Sequence, residues 1–386
     1  MSTVTISLTK TIPVARPFVG RLEEEAVVET LRSGWVTQGP RVAEFEEKFA
    51  SYIGCEHAIA VSSCTTGLHL ALVASGIGQG DEVICPSLSF IATANAIAQT
   101  GATPVFCDID PRTYNIDPAC IEELLTPKTR AVVLVHQIGC PAELDAIATI
   151  AHDRNLILIE DAACAIGSEY RGQRIGRPTG SMAVFSFHPR KVLTTCEGGM
   201  ITTQDRDMAD RLRRMRQHSM SVSDVARHSS RQVMVETYDE IGFNYRMTDI
   251  HAAIGLCQLG RLPDFLRRRR MLAARYDAAL SNFEWLQIPQ IPSHCESNYQ
   301  SYMIRLLGPA AQQRDRIMQE LLERGISTRR AIMAIHREAP YRSGEWEKSL
   351  PHTAIITDSG MILPLFHEMT EADQDQTIGA LLGLNV

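Results

Sequence analysis

Between His57 and Thr203 the chain repeats one pattern, a short run of apolar or β-branched residues followed by a stretch with apolar residues three and four apart. Such runs, bounded by turn residues, read as buried strands, and the stretches between them as amphipathic helices. The pattern predicts strands at 57–62, 82–85, 103–107, 131–136, 156–161, 182–187 and 200–203, and helices at 66–76, 90–99, 119–125 and 143–154. Strands joined through helices pair in parallel by right-handed crossovers, which gives an open α/β sheet, doubly wound. Ligands of such sheets bind beyond the carboxyl ends of the strands.

Two of those ends carry reactive groups. The stretch M-A-V-F-S-F-H-P-R-K from Met182 breaks at Pro189 and presents one lysine, Lys191, just past a buried strand. Upstream, N-L-I-L-I-E-D-A-A-C-A-I-G from Asn155 delivers Asp161 to the same edge. A lysine amine and a buried carboxylate are the pair that pyridoxal 5'-phosphate requires. The amine holds the aldehyde covalently, and the acid keeps the pyridine nitrogen protonated so that the ring accepts electrons. Small hydroxyl residues from Ser62, in S-S-C-T-T-G, stand between a strand and a helix, and an exposed helix start is an anion site. Cys64 and Thr65 are the candidate phosphate cradle there.

The chain resembles the DegT/StrS family of sugar aminotransferases, within the fold-type I pyridoxal phosphate enzymes. The resemblance rests on S-G-W-V-T-Q-G-P from Ser33, F-E-E-K-F-A from Phe45, P-S-L-S-F-I-A-T-A-N-A-I from Pro86 and V-H-Q-I-G-C-P-A-E-L-D-A-I from Val135. It continues in E-D-A-A-C-A-I-G from Glu160, F-S-F-H-P-R-K from Phe185, C-E-G-G-M from Cys196 and G-F-N-Y-R-M-T-D-I from Gly242. It implies a mainly parallel seven-stranded sheet with helices on both faces and a smaller α+β C-terminal domain. It further implies Phe90 stacked on the cofactor ring, Ser186 as a second phosphate ligand, and Cys164 where the family often has glutamine near the ring's phenolic oxygen. Asn244 would reach the phosphate of a neighbouring subunit, which makes the expected unit a homodimer with shared active sites. Trp35, Thr37, His336 and Tyr341 are implied near the substrate entrance. The implied reaction moves an amino group from L-glutamate to a nucleotide-linked keto sugar, most often a 4-keto-6-deoxy sugar. An aminocyclitol or aminobenzoate aminotransferase stays open, as does a sugar dehydratase, although the dehydratases have histidine where this chain has Lys191. A regulatory protein that kept the fold and lost turnover is the remaining alternative, and the Lys191, Asp161 and Ser186 set speaks against it.

The division expected is a cofactor-binding part over 1–250, a linking helix over 251–283 and a small domain over 284–386. The glycine run at Gly76 to Asp81 follows a helix and precedes a strand, the reverse of a dinucleotide fingerprint, and reads as a turn. The acids of C-D-I-D-P-R-T-Y-N-I-D lack metal-loop spacing, so no metal is expected. His136 reads as a buried support, and Arg267 to Arg270 as a solvated helix face. The ten cysteines show no C-x-x-C pair and read as free thiols. A net charge of −7 without a basic tail argues against nucleic acid. The opening M-S-T-V-T-I-S-L-T-K lacks a signal pattern, and no long apolar run suggests a membrane span, so a cytoplasmic protein is expected.

Overall fold

The computed structural model describes residues 11–222, 227, 230, 232–343 and 346–385. The opening ten residues lie outside this set, as do Ser223 and Ser229 of the polar stretch 217–240. Seven strands form the main sheet: β1 (His57–Val61), β2 (Glu82–Pro86), β3 (Thr103–Cys107), β4 (Thr129–Val135), β5 (Ile157–Asp161), β8 (Met182–Ser186) and β9 (Gly199–Thr203). The order is β1-β9-β8-β5-β4-β2-β3. All neighbours are parallel except β9, which runs against both β1 and β8. Every parallel strand therefore ends at one edge, and β9 begins there.

Strand residues alternate faces, and the core is split accordingly. Ala58, Ala60, Leu158, Ala183, Phe185 and Met200 pack on one face with the helices Pro40–Ile53, Leu144–Asp153 and Asp249–Leu280. Ile59, Val61, Ile159, Val184 and Ile201 pack on the other with Cys64–Ala74, Ala92–Gln99 and Arg206–Met215. The F-E-E-K-F spacing puts Phe45 and Phe49 one helical turn apart. Phe49 meets Phe185 edge-on at 5.2 Å and Phe187 at 5.6 Å between ring centroids, so this helix underpins the strand that leads to Lys191. Asp249, at the other end of the sequence block M-T-D-I, accepts from the N–H groups of Gly39, Arg41 and Val42 and so caps the same helix.

The 32-residue helix Asp249–Leu280, capped by Thr248, runs from this core to a second, antiparallel sheet. Its strands are β10 (Leu286–Gln287), β12 (Tyr302–Leu306), β13 (Arg329–Arg330) and β14 (Gly360–Leu363), in the order β10-β12-β14-β13. Helices Arg314–Glu323 and Glu371–Leu382 pack on it. A three-stranded ribbon joins β11 (Cys295–Glu296) to β6 (Glu169–Tyr170) and β7 (Gln173–Arg174). All ten cysteines are free. Among the described residues, no helix is long and apolar enough to cross a membrane.

The arginine run corrects the expectation of a solvated face. Arg267 is exposed and pairs with Asp264, but Arg269 is buried and donates to the carbonyls of Tyr299, Gln300 and Leu365 at 2.9, 2.6 and 3.1 Å. Arg268 donates to Met369 O, and Arg270 to Ser297 O and Gly167 O. Burial pulls Arg269 down to about 10, which leaves it a cation at neutral pH. Arg269→Met keeps the stem and strands three carbonyls, and is expected to cost ~3 kcal/mol, read as a lower urea midpoint at constant slope.

Candidate active site

A cleft of about 360 Å³ opens at the carboxyl edge of the main sheet. One wall comes from the strand ends: Ser63, Cys64 and Thr65 after β1, Ser89 and Phe90 after β2, Gln137 after β4, Asp161 and Cys164 at β5, and Ser186, His188 and Lys191 at β8. The facing wall comes from the second sheet and its loops, with Gln300, Ser301, Arg329, Arg330, Ile332 and Met333. The site thus falls where open α/β sheets bind ligands.

Lys191 sits in a turn whose N–H bonds His188 O at 2.8 Å, and its Nζ donates to Cys164 Sγ at 3.1 Å. Burial works against the ammonium, but the Cys164 sulfur and the Asp161 carboxylate outweigh it and hold Lys191 above the ordinary lysine value. Asp161 is 4% exposed, accepting from Thr93 Oγ1 at 2.9 Å and from the Ala163 N–H at 3.1 Å. Burial raises its carboxyl above the ordinary range, with the Thr93 hydroxyl the largest opposing influence.

Ser63 caps the helix Cys64–Ala74, its Oγ accepting from Thr66 N at 3.1 Å. The N–H groups of Cys64 and Thr65 precede the first intrahelical bond and are available to an anion. The Cys64 thiol is pushed well up, by burial first and the Asp161 charge second, and so stands neutral. Gly199 makes this close approach possible: a Cβ there would sit 2.7 Å from Cys64 N and 2.7 Å from Ser63 C. Phe90 lines the cleft with 59% of its surface exposed, open to stack on a ligand.

Not every expected residue is in this cleft. Trp35 and Thr37 do not line it, and Thr37 O instead accepts from Asp249 N at 2.8 Å. Asn244 is exposed and lies away from the chain's own cleft. His336 is buried, with Nδ1 at 2.7 Å from Ser87 Oγ and Nε2 at 3.2 Å from Glu347 Oε2. That is a serine–histidine–acid order, but Ser87 is fully buried, so the trio braces the loop before Phe90 and reaches no ligand. Tyr341 donates to Asn95 Oδ1 at 2.7 Å behind the wall. His136 is buried between Glu160 Oε2 at 3.2 Å and the Ala142 N–H at 3.0 Å, as a support. The sequence reading missed Thr93, Arg329 and Arg330; a threonine inside a helical stretch and basic residues in a short edge strand carry no signal of their own.

Cys196 stands two residues before the Gly198 wall with φ at 70°, a left-handed conformation that side chains disfavour. Cys196→Gly is expected to gain about 0.5–1 kcal/mol after the entropy cost of a glycine, seen as a higher thermal midpoint.

A buried carboxylate, a half-buried lysine amine and an open helix start share one cleft, and these residues fit pyridoxal phosphate chemically. A family model of the DegT/DnrJ/EryC1/StrS aminotransferase family matches residues 18–382. The chain belongs to this family of aminotransferases and has the fold-type I architecture. It is similar to the aminotransferase TlmJ from Streptoalloteichus hindustanus, at 38% identity, TM-score 0.88, covering 96% of this chain and 97% of that one. Sugar aminotransferase CalS13 from Micromonospora echinospora is 30% identical with a TM-score of 0.86, covering 97% and 100%. Spr1654 from Streptococcus pneumoniae, in its PLP form, is 27% identical with a TM-score of 0.89, covering 97% and 100%.

Proposed function

We propose that this enzyme moves the amino group of L-glutamate to a nucleotide-linked keto sugar of the 4-keto-6-deoxy type, with Lys191 and Asp161 as the working pair. The observation that carries this reading is the convergence of a half-buried lysine and a buried aspartate in one cleft with an open helix N-terminus. Bound pyridoxal phosphate supplies an aldehyde that exchanges amino groups and a ring that takes up the electron pair of the substrate carbon.

The chain's own groups do the rest. Lys191 Nζ holds the cofactor between turnovers, takes the proton from the donor's α-carbon and later returns one to the acceptor carbon. Asp161 carries the negative charge that keeps the ring nitrogen protonated. Cys64 and Thr65 N–H groups with Ser186 hold the phosphate, and Phe90 covers the ring face. Cys164, whose Sγ accepts from the Lys191 amine at 3.1 Å, would be a weak partner for the ring's phenolic oxygen. Arg329 and Arg330 give the facing wall positive charge, which suits a dicarboxylate donor and a diphosphate-bearing acceptor in turn. Loss of 2-oxoglutarate before the sugar binds makes the scheme ping-pong.

The working unit is a homodimer in which Asn244 serves the partner's phosphate. Support comes from exposed apolar residues in the segment that precedes it, Val233, Val235 and Ile241, the first 96% exposed. Mixing Lys191→Ala chains with Asn244→Ala chains should restore activity, because one site of the hybrid regains both residues; no restoration refutes shared sites. The donor is tested by adding L-glutamate to the purified holoenzyme. Bleaching of the visible cofactor band with release of 2-oxoglutarate is expected, and an unchanged band rules glutamate out. A panel of nucleotide-linked keto sugars then tests the acceptor.

A further inference from the structure

One polar chain beside the cleft is left over from these roles. Ser89 Oγ lies 2.9 Å from Thr93 Oγ1, which lies 2.9 Å from Asp161 Oδ2. All three are buried, at 2%, 1% and 4% exposure. Proton counting orients the chain. An ionised carboxylate only accepts, so Thr93 donates to it; a hydroxyl has one proton, so Thr93 can then only accept from Ser89. The direction of both hydroxyls is set by the charge on Asp161.

We propose that Thr93, backed by Ser89, is a positioning residue for Asp161, holding its carboxylate ionised and aimed at the ring nitrogen of the bound cofactor. The inference rests on the role given to Asp161 above. Burial favours the neutral acid, and the groups that oppose it are few: the Thr93 hydroxyl from the helix Ala92–Gln99, the Ala163 N–H just past β5, Lys191 after β8 and His136 after β4. The Cys64 thiol from the facing helix start is neutral. His136 is already engaged by Glu160 and Ala142, and Lys191 is committed to the aldehyde when cofactor is bound, so Thr93 is the principal side-chain donor from the protein in the working state. A hydrogen bond to a charged acceptor is about twice as strong as a neutral one, and a buried acceptor left without its donor bears a full desolvation cost. Ser89 also adjoins Phe90, so the same relay ties the aromatic wall to the acid.

The test compares Thr93→Val, Thr93→Ser, Ser89→Ala and Asp161→Asn by titrating each apoprotein with pyridoxal phosphate across acid to neutral pH, following protein fluorescence. Thr93→Val is expected to weaken cofactor binding ~10-fold at neutral pH. It should also move the acid limb of the affinity profile to higher pH, because a carboxylate deprived of its strongest donor protonates more readily. Thr93→Ser restores both properties. Ser89→Ala leaves the Thr93 bond in place and gives a smaller shift of the same sign, which keeps the test open if Thr93→Val does not fold. Wild-type affinity and acid limb in the hydroxyl variants, with Asp161→Asn weakened, overturns the relay and leaves the Asp161 role intact. Wild-type behaviour in Asp161→Asn as well overturns the Asp161 role, and the inference with it.

Discussion

Lys191→Ala is expected to lower amino transfer on the order of 10⁴-fold. Among the described residues lining the cleft, Lys191 alone carries an amine, and it is held by the Cys164 contact at 3.1 Å in a turn that closes on His188. A replacement amine would have to reach this cleft from elsewhere in the chain. The helix start at Cys64 and the Asp161 carboxylate are untouched by the change, so pyridoxamine phosphate should still bind with near-normal affinity. The experiment is a single-turnover reaction of the variant with donor, followed by the visible spectrum, alongside a binding titration. Normal turnover removes Lys191 from its assigned place. Loss of both turnover and binding would mean that the lysine supports the cleft's structure.

Asp161→Ala is expected to lower kcat on the order of 10²–10³-fold. The ring nitrogen is a weak base, and in a buried site its proton needs a full negative charge nearby. Asp161→Asn keeps the shape and one acceptor but not the charge, so it should fail nearly as badly; activity close to wild type in Asp161→Asn would make the residue a hydrogen-bond partner only. Stability should move the other way. The folded protein holds a proton on this carboxyl more tightly than the unfolded chain does, since burial raises its pKa. Its contribution is therefore favourable below the ordinary aspartate value and is lost as pH rises through that raised range. At neutral pH the charge is a burden on the apoprotein, and Asp161→Asn is expected to keep or raise the thermal midpoint while activity falls.

That Lys191 and Asp161 share one sheet edge was legible because one lies just past an apolar run and the other ends one, and at strand ends period and length announce geometry. The seven strands and the capped helices at Thr248 and Thr370 follow from the same patterns. Thr93 was not legible: its partner lies 68 residues away, and in sequence it is one more small residue in A-T-A-N-A-I. Arg269 misled because a run of charge on a helix usually faces water; its burial is decided by loops around Tyr299 and Leu365 that pack on it only in the folded chain. The S-G-W-V-T-Q-G-P block has a clear use on the Asp249 cap, where Gly39 admits the carboxylate at a distance no Cβ would allow. Tertiary pairing of that kind leaves no periodic trace.

The cleft has two walls of different origin, one from the parallel strand ends and one from the antiparallel sheet beyond the long helix. The first wall holds Lys191, Asp161 and the helix start at Cys64; the second offers arginines, a glutamine and apolar side chains to whatever is brought in. Mutation can therefore revise one wall while the other stays constant. A lineage built this way can change its acceptor without reinventing its chemistry, and a designer can graft a relative's second wall onto this chain for the same purpose.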